Sequence, residues 1–367
     1  MRARGFSLVE FMIAMTIGLF LIAGLVYLIA ETSRSRAEIE RSSRQIENGR
    51  YALGRIAEDL RHAGFFSEYF SVPAAGEAGF PASLTAALPC ATAVASLPAG
   101  MPLAIQAYDG GASVPSDLTC IAAADYLPNT DILVVRRAST TSICPSNAAP
   151  AWTCPSSVPV PQSLATDVTL PYIQTSPVDY KLDLGTVANM AAVFNLTHPA
   201  ASNTATRNAP LHRYVVRIYF ISPCNVPSTG VASDPCDAGA DAGTPIPTLK
   251  MLELGPGPAF QKLAIAEGIE QLQFDFGIDT TGDGVADTVS MCNACTAIDF
   301  SNVVTVAVHI VARNTETSPA YYDDKTYSLG LWDSISGRYA PPSAVAGYRR
   351  HSYSSLVRLN NIGMRRE

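Results

Sequence analysis

Charge is scarce in this chain. Only 16% of its 367 residues are Asp, Glu, Lys or Arg, and the formal balance is −7. A charge-poor, net-negative protein lacks the electrostatic footprint of a general nucleic-acid binder. The basic residues near the C-terminus (Arg349, Arg350, Arg358, Arg365 and Arg366) are read as a solvated strand face and tail. Histidine is also sparse: His62, His198, His212, His309 and His351 are scattered. No HExxH, GxSxG or P-loop pattern occurs. The common metalloprotease, serine-hydrolase and nucleotide-hydrolysing chemistries therefore have no support, and a non-enzymatic protein is expected. His309 lies in an apolar, strand-like run, which suits a satisfied core side chain better than a base. Cysteine is missing from the first 89 residues.

All eight cysteines come later, an even number that suits an oxidising compartment. Sequence proximity suggests the pairs Cys90–Cys120, Cys144–Cys154, Cys224–Cys236 and Cys292–Cys295, since short loops close at low entropic cost. A zinc site is disfavoured because "CNAC" (292–295) has no second CxxC or HxxxH beside it. Glycine and proline are plentiful, 25 and 26, which points to a loop-rich β protein rather than a helical bundle.

The N-terminal region has the opposite character. "FMIAMTIGLFLIAGLVYLIA" (11–30) is long enough to span a bilayer as a helix. Arg2 and Arg4 precede it, and the acidic residue at its border, Glu10, weighs little in the positive-inside rule, so the N-terminus should remain cytoplasmic. The run leads into "LIAETSRSRAEIE" without a small-residue cleavage site, so it is expected to be retained. Gly18 and Gly24 are read either as glycines tolerated in lipid or as sites of close helix packing. Helical periodicity continues beyond it. Ile39, Ile46, Leu53 and Leu60 repeat at seven, with Gly49, Ile56 and Ala63 between them, and Gly64 is placed to end the helix. One helix over about 6–62 is predicted, its first half in lipid and its second half packed on a globular domain or on neighbouring helices.

Glu10 is out of place in such a run, because an uncompensated carboxylate is costly in a membrane. Together with Gly5 and Phe6 it reads "GFSLVEFMIA", which resembles the class III signal of type IV prepilins and type II secretion pseudopilins. "RQIENGRYALGRIAEDLRHAGFF" (44–66) is similar to the corresponding stretch of the PilW minor-pilin family and of pseudopilin J. Here Ile46 is inserted and His62 stands where Met is common. The resemblance implies cleavage after Gly5 by a prepilin peptidase and N-methylation of Phe6. It implies an ion pair between Glu10 and a processed terminus during assembly. It implies a lollipop-shaped α+β fold, the long helix packed on an antiparallel sheet domain. The organisation would be a leader (1–5), a transmembrane half-helix (6–30), an amphipathic half-helix (31–64) and a periplasmic β-rich domain (65–367).

The implied function is that of a minor pilin in the complex that initiates pilus assembly, located first in the bacterial inner membrane and then at the pilus tip. Its partners would be other minor pilins, the major pilin and a tip adhesin. A type II secretion pseudopilin is the same-class alternative, and a tip adhesin or receptor module is the other.

Strands are predicted over 131–139, 212–222, the second half of 264–279, 302–314 and 351–362. The closing strands also resemble the PilW pattern, with Asn360 where Arg is common. The Pro-rich 142–176 region and the 223–249 region read as insertions. "DTTGDGVADTVS" (279–290) places Asp279, Thr281, Asp283, Val285 and Asp287 at spacing that can wrap a calcium ion. Ser290 stands where a bidentate Glu is expected, and a strand rather than a helix precedes the loop. A strand-connecting turn is the competing reading. Pseudopilin J relatives bind calcium, which makes Ca2+ the one cofactor to consider.

Overall fold

The computed structural model describes residues 7–67, 69, 88–143, 169–176, 179–198 and 207–363. Its first element is helix α1, Leu8–His62, of 55 residues, roughly 80 Å long at 1.5 Å per residue. Ala63 closes it, and Gly64 follows at φ +70°, a left-handed position that glycine adopts without penalty. Apolar side chains from Leu8 to Ile29 are exposed, and this half of α1 is long and apolar enough to cross a membrane.

Among the described residues the strands are β1 (Ile105–Tyr108), β2 (Ile132–Ile143), β3 (Pro171–Thr175), β4 (Tyr180–Leu184), β5 (Thr197–His198), β6 (Arg207–Asn208), β7 (Leu211–Ser222), β8 (Thr248–Leu254), β9 (Phe260–Glu267), β10 (Ile269–Ile278), β11 (Thr288–Ser290), β12 (Val303–Arg313) and β13 (Arg350–Arg358). Their pairings are antiparallel. In a seven-stranded sheet β7 is the hub. It pairs with β2 along one side, and on the other with β3 at one end and β8 at the other. β1, β4 and β9 are added beyond β2, β3 and β8. A four-stranded sheet has the order β11-β10-β12-β13. A long apolar helix followed by antiparallel sheets is the fold expected from the sequence.

Strand alternation builds two cores. Leu133 and Val135 of β2 join Ala52, Ile56, Leu60 and the inner face of the four-stranded sheet. Ile132, Val134 and Ala138 point the other way, to Phe66, Leu97, Tyr126 and Tyr214. The chain passes between sheets at Gly268. Its φ is +77°, and a Cβ there would lie 2.4 Å from the Arg313 carbonyl oxygen, so only glycine fits.

The stripe on α1 differs from the seven-residue expectation. Gly49, Ala52, Ile56, Leu60 and Ala63 are buried, but Ile39 is 64% and Ile46 39% exposed. A straight helix drifts about 20° per heptad against a strict repeat. Residues in line at Leu60 have thus rotated off the domain by Ile46 and Ile39, and Gln45 is buried instead.

The expected strands appear as β2, β7, β10, β12 and β13, the last ending before a short helical turn at Asn360–Gly363. The 142–176 insertion needs correction. Residues 144–168 lie outside the described residues, but Pro171–Thr175 are strand β3, inserted between β4 and β7. The 223–249 region likewise ends by entering β8.

Candidate functional site

Residues predicted to act in processing and assembly lie at the start of α1. Gly5 and Phe6 fall outside the described residues. Ser7 is the helix N-cap, its hydroxyl accepting from the Val9 amide, and Glu10 returns a carboxylate oxygen to the Ser7 amide at 2.9 Å. This capping box joins the carboxylate to backbone donors that the first helical turn leaves unpaired. It also sets the negative charge at the positive end of the helix dipole. Glu10 is therefore not an uncompensated charge even in the isolated subunit.

The second half of α1 is fixed to the domain by contacts of two kinds. At Gly49 the helix backbone admits the Tyr353 ring of β13, and a Cβ there would come within 2.4 Å of Tyr353 Cε2. Ten residues on, Asp59 is fully buried and meets the seven-stranded sheet. Its carboxylate accepts from Arg217 Nη1 at 2.7 and 2.9 Å, from Arg137 at 3.0 and 3.2 Å, and from the Tyr219 hydroxyl. Arg217 continues to Glu253 at 2.7 Å, which also takes Arg213 at 2.8 Å. Burial pushes the Asp59 carboxyl up, but the hydrogen bonds and charge of Arg217, with Tyr219 and Arg137, outweigh it and hold the group below the usual range. One signal of this site is legible locally: an acid at a buried position of the helical stripe. Its partners lie 78 to 160 residues away, beyond any local pattern.

A second buried network holds the excursion between β12 and β13. Arg350, expected on a solvated face, is 6% exposed and pairs with Glu270 and, at 3.2 Å, with Asp323. Tyr327 and Tyr339 donate to those same carboxylates at 2.9 and 3.1 Å. Arg349 reaches Glu38 on α1 at 3.3 Å, so Arg349 and Arg350 both have intramolecular partners. Arg365 and Arg366 lie outside the described residues.

His309 is not in the core as expected. It lies half-buried on the outer face of the four-stranded sheet, with one ring nitrogen 3.1 Å from Asp275 Oδ2 and the other 2.8 Å from Ser354 Oγ. The row resembles a Ser-His-Asp arrangement, but Gly330 is laid directly over it. A Cβ on Gly330 would stand 2.1 Å from Asp275 and 2.5 Å from His309, while the Leu331 amide donates to Asp275 at 3.1 Å. The row secures the loop to the sheet.

In the candidate calcium loop the carboxylates turn inward. Asp279 is 1% exposed and accepts from the amides of Thr281, Gly282 and Gly284 at 3.1, 2.6 and 2.9 Å. Asp287 accepts from the Thr280 amide and hydroxyl and from the Thr281 amide; these bonds, led by the Thr280 amide, lower its pKa. Asp283 Oδ1 takes the Val285 amide at 2.9 Å. Among the described residues no three His, Cys, Asp or Glu gather as a metal site. The arrangement is that of a turn whose carboxylates satisfy its own amides.

Disulfides join Cys90 to Cys120, Cys224 to Cys236 and Cys292 to Cys295. Cys144 and Cys154 lie outside the described residues.

Comparison with known families gives two matches. Residues 237–361, which include β8 to β13, match the family described as Type IV Pilus-assembly protein W. Residues 1–26 match the prokaryotic N-terminal methylation motif. Among solved structures the chain is similar to the type IV-like pilin TTHA1219 from Thermus thermophilus, at 12% identity, over 54% of this chain and 90% of that one, with a TM-score of 0.22. A superposition that loose aligns no particular residues and carries no weight here. The comparison with curated proteins gives no match.

Proposed function

We propose that this type IV pilin-like protein, a chain with a PilW domain and a prepilin-type methylation motif, is a minor pilin of the complex that initiates pilus assembly. The observation carrying the proposal is the joining of those two matches by one continuous helix. Its exposed apolar half bears the methylation motif, and its other half is anchored in the β domain through Gly49 and Asp59. Methylation motif and apolar helix together suggest membrane anchoring. The β domain would lie on the periplasmic side, given Arg2 and Arg4 before the span.

In this reading a peptidase cleaves between Gly5 and Phe6. The Phe6 nitrogen changes from a neutral amide to an ammonium, which N-methylation leaves charged. Phe6 and Glu10 are four apart and share a helix face. Glu10, held in the monomer by the Ser7 amide, is close enough to the end of α1 to exchange that contact for the ammonium of an adjacent subunit. Extraction from the bilayer then replaces lipid around Leu8–Ile29 with neighbouring helices. The side chains of the β domain have structural roles in this scheme, and the protein is a non-enzymatic subunit whose partners are other pilins.

Mass analysis of the N-terminus of the protein isolated from cells with active prepilin peptidase tests the reading. A chain beginning at methylated Phe6 is expected, and an uncut Met1 terminus rejects it. Deleting the gene should abolish piliation. Loss of exoprotein secretion with normal pili would assign it to a secretion system, and lost adhesion with normal pili would make it a tip receptor.

A further inference from the structure

Lys250 lies in the middle of β8 and is only 2% exposed. The β8–β9 pairing is irregular between Leu249 and Lys250, and such irregularities re-aim side chains. Here the ammonium is directed beneath the loop that Cys224–Cys236 closes. Its nitrogen is 3.9 Å from both sulfurs, and among the described residues these are its hydrogen-bond partners. Lys262 nearby is conventionally satisfied, by Asp125 at 2.7 Å and the Asp234 carbonyl at 2.6 Å. Ser222 Oγ lies 3.1 Å from Cys236 Sγ, and the Cys236 amide donates to Asp125 at 3.1 Å.

A disulfide sulfur is a poor acceptor, whereas a thiolate is a strong anionic one. A buried cation whose partners are disulfide sulfurs thus gains little from the oxidised state. It would gain a counter-charge from the reduced one. Burial pushes the Lys250 ammonium below its usual pKa, against the opposing charge of Asp125, and a thiolate beside it would relieve that cost. Cys90–Cys120 has a different environment: there the printed contact is the Cys120 amide on Cys90 Sγ at 3.0 Å, a neutral donor.

We propose that Cys224–Cys236 is a thiol–disulfide exchange site, with Lys250 stabilising the leaving thiolate and a dithiol as co-reactant. Cys224 is 1% exposed and Cys236 only half-buried, so a donor thiolate attacks Cys236 Sγ. The S–S bond breaks, a mixed disulfide forms on Cys236, and Cys224 leaves as a thiolate next to Lys250 Nζ. The donor's second thiolate then attacks its own sulfur in the mixed disulfide and expels Cys236, whose thiolate the Ser222 hydroxyl can hydrogen-bond before it takes a proton from solvent. Two electrons pass from donor to protein, and the donor departs as a disulfide. Lys250 acts through charge and is a positioning residue.

The test equilibrates the full-length, detergent-solubilised protein against a series of reduced and oxidised dithiothreitol, with acid quenching, alkylation and peptide mass mapping. Cys224–Cys236 is expected to open at the most oxidising ratio of the three mapped pairs. Lys250→Met should shift its equilibrium toward the disulfide at least tenfold, about 30 mV for a two-electron couple, and leave Cys90–Cys120 and Cys292–Cys295 unmoved. Should Lys250→Met fail to fold, the wild type still decides: after reduction the ultraviolet absorbance of a thiolate should persist at pH 6, where an ordinary thiol is protonated, and should vanish in Cys224→Ser. Cys224–Cys236 opening with or after the other pairs, an unshifted Lys250→Met equilibrium, or no thiolate absorbance at pH 6 would overturn the proposal.

Discussion

Replacing Asp59 by Asn tests the account of how helix and sheet are joined. The side chain keeps its volume, so packing against Ile56 and Leu60 is retained. Its charge is lost, and an NH2 group enters a site that presents donors from Arg217, Arg137 and Tyr219. Arg217 retains Glu253, but Arg137 loses its carboxylate. Breaking a buried pair from one side costs about 3–5 kcal/mol, which lowers the melting temperature by roughly 5–8 °C for a domain of about 300 residues. The assay is thermal unfolding of the full chain in detergent, followed by circular dichroism. A pH series adds an independent arm. Because the folded Asp59 pKa is depressed, its stabilisation is fully present above the ordinary Asp value of about 3.9. It is lost as pH falls from there through the folded pKa. Wild-type stability should fall across that acidic window more steeply than that of Asp59→Asn. A variant melting within about 2 °C of wild type, or parallel acid limbs, would show that the network contributes little net free energy.

Gly49→Ala should destabilise the protein by about 1–3 kcal/mol, as expected for overpacking. The new methyl collides with the Tyr353 ring, and the roughly 1 kcal/mol gain in helix propensity does not offset this; an equal or higher melting temperature would refute the contact. Asp279→Ala removes the acceptor of three loop amides and should cost about 1–3 kcal/mol in chelator and in calcium alike. Destabilisation seen only with calcium present would mean that ion binding, not turn geometry, explains the loop.

Long, regular features were the legible ones. The apolar run, the continuation to His62 and the stop at Gly64 follow from composition and period. β7 and β12 are runs of β-branched and aromatic residues, and β13 is legible through its likeness to the closing PilW strand. β9 escaped notice because its face is half exposed, and β8 because it follows directly on a Pro/Gly loop. β1, β3 and β4 are four or five residues long, too short for periodicity to declare. A repeat of seven places Ile39 and Ile46 on the buried stripe of α1, but a helix of 3.6 residues per turn does not keep that repeat, and both are exposed. The Asp loop shows the limit of spacing as evidence. Five positions matched a cation-binding loop, but spacing does not say whether a carboxylate points outward to an ion or inward to its own backbone. Arg350 differs from expectation because the excursion between β12 and β13 covers an otherwise exposed strand face, and that return of the chain is not local in sequence; His309 differs because alternation along β12 sends Val308 and Ile310 to the core and His309 to the other face.

The Tyr353–Gly49 and Asp59 attachments are both on the same helix, ten residues or about 15 Å apart along its axis. Pulling along α1 would load the ring contact and the ion network at the same instant, in shear, instead of opening them one after the other. A subunit drawn out of a bilayer by its helix would hand traction directly to two sheets. The β domain would be drawn along through both attachments together.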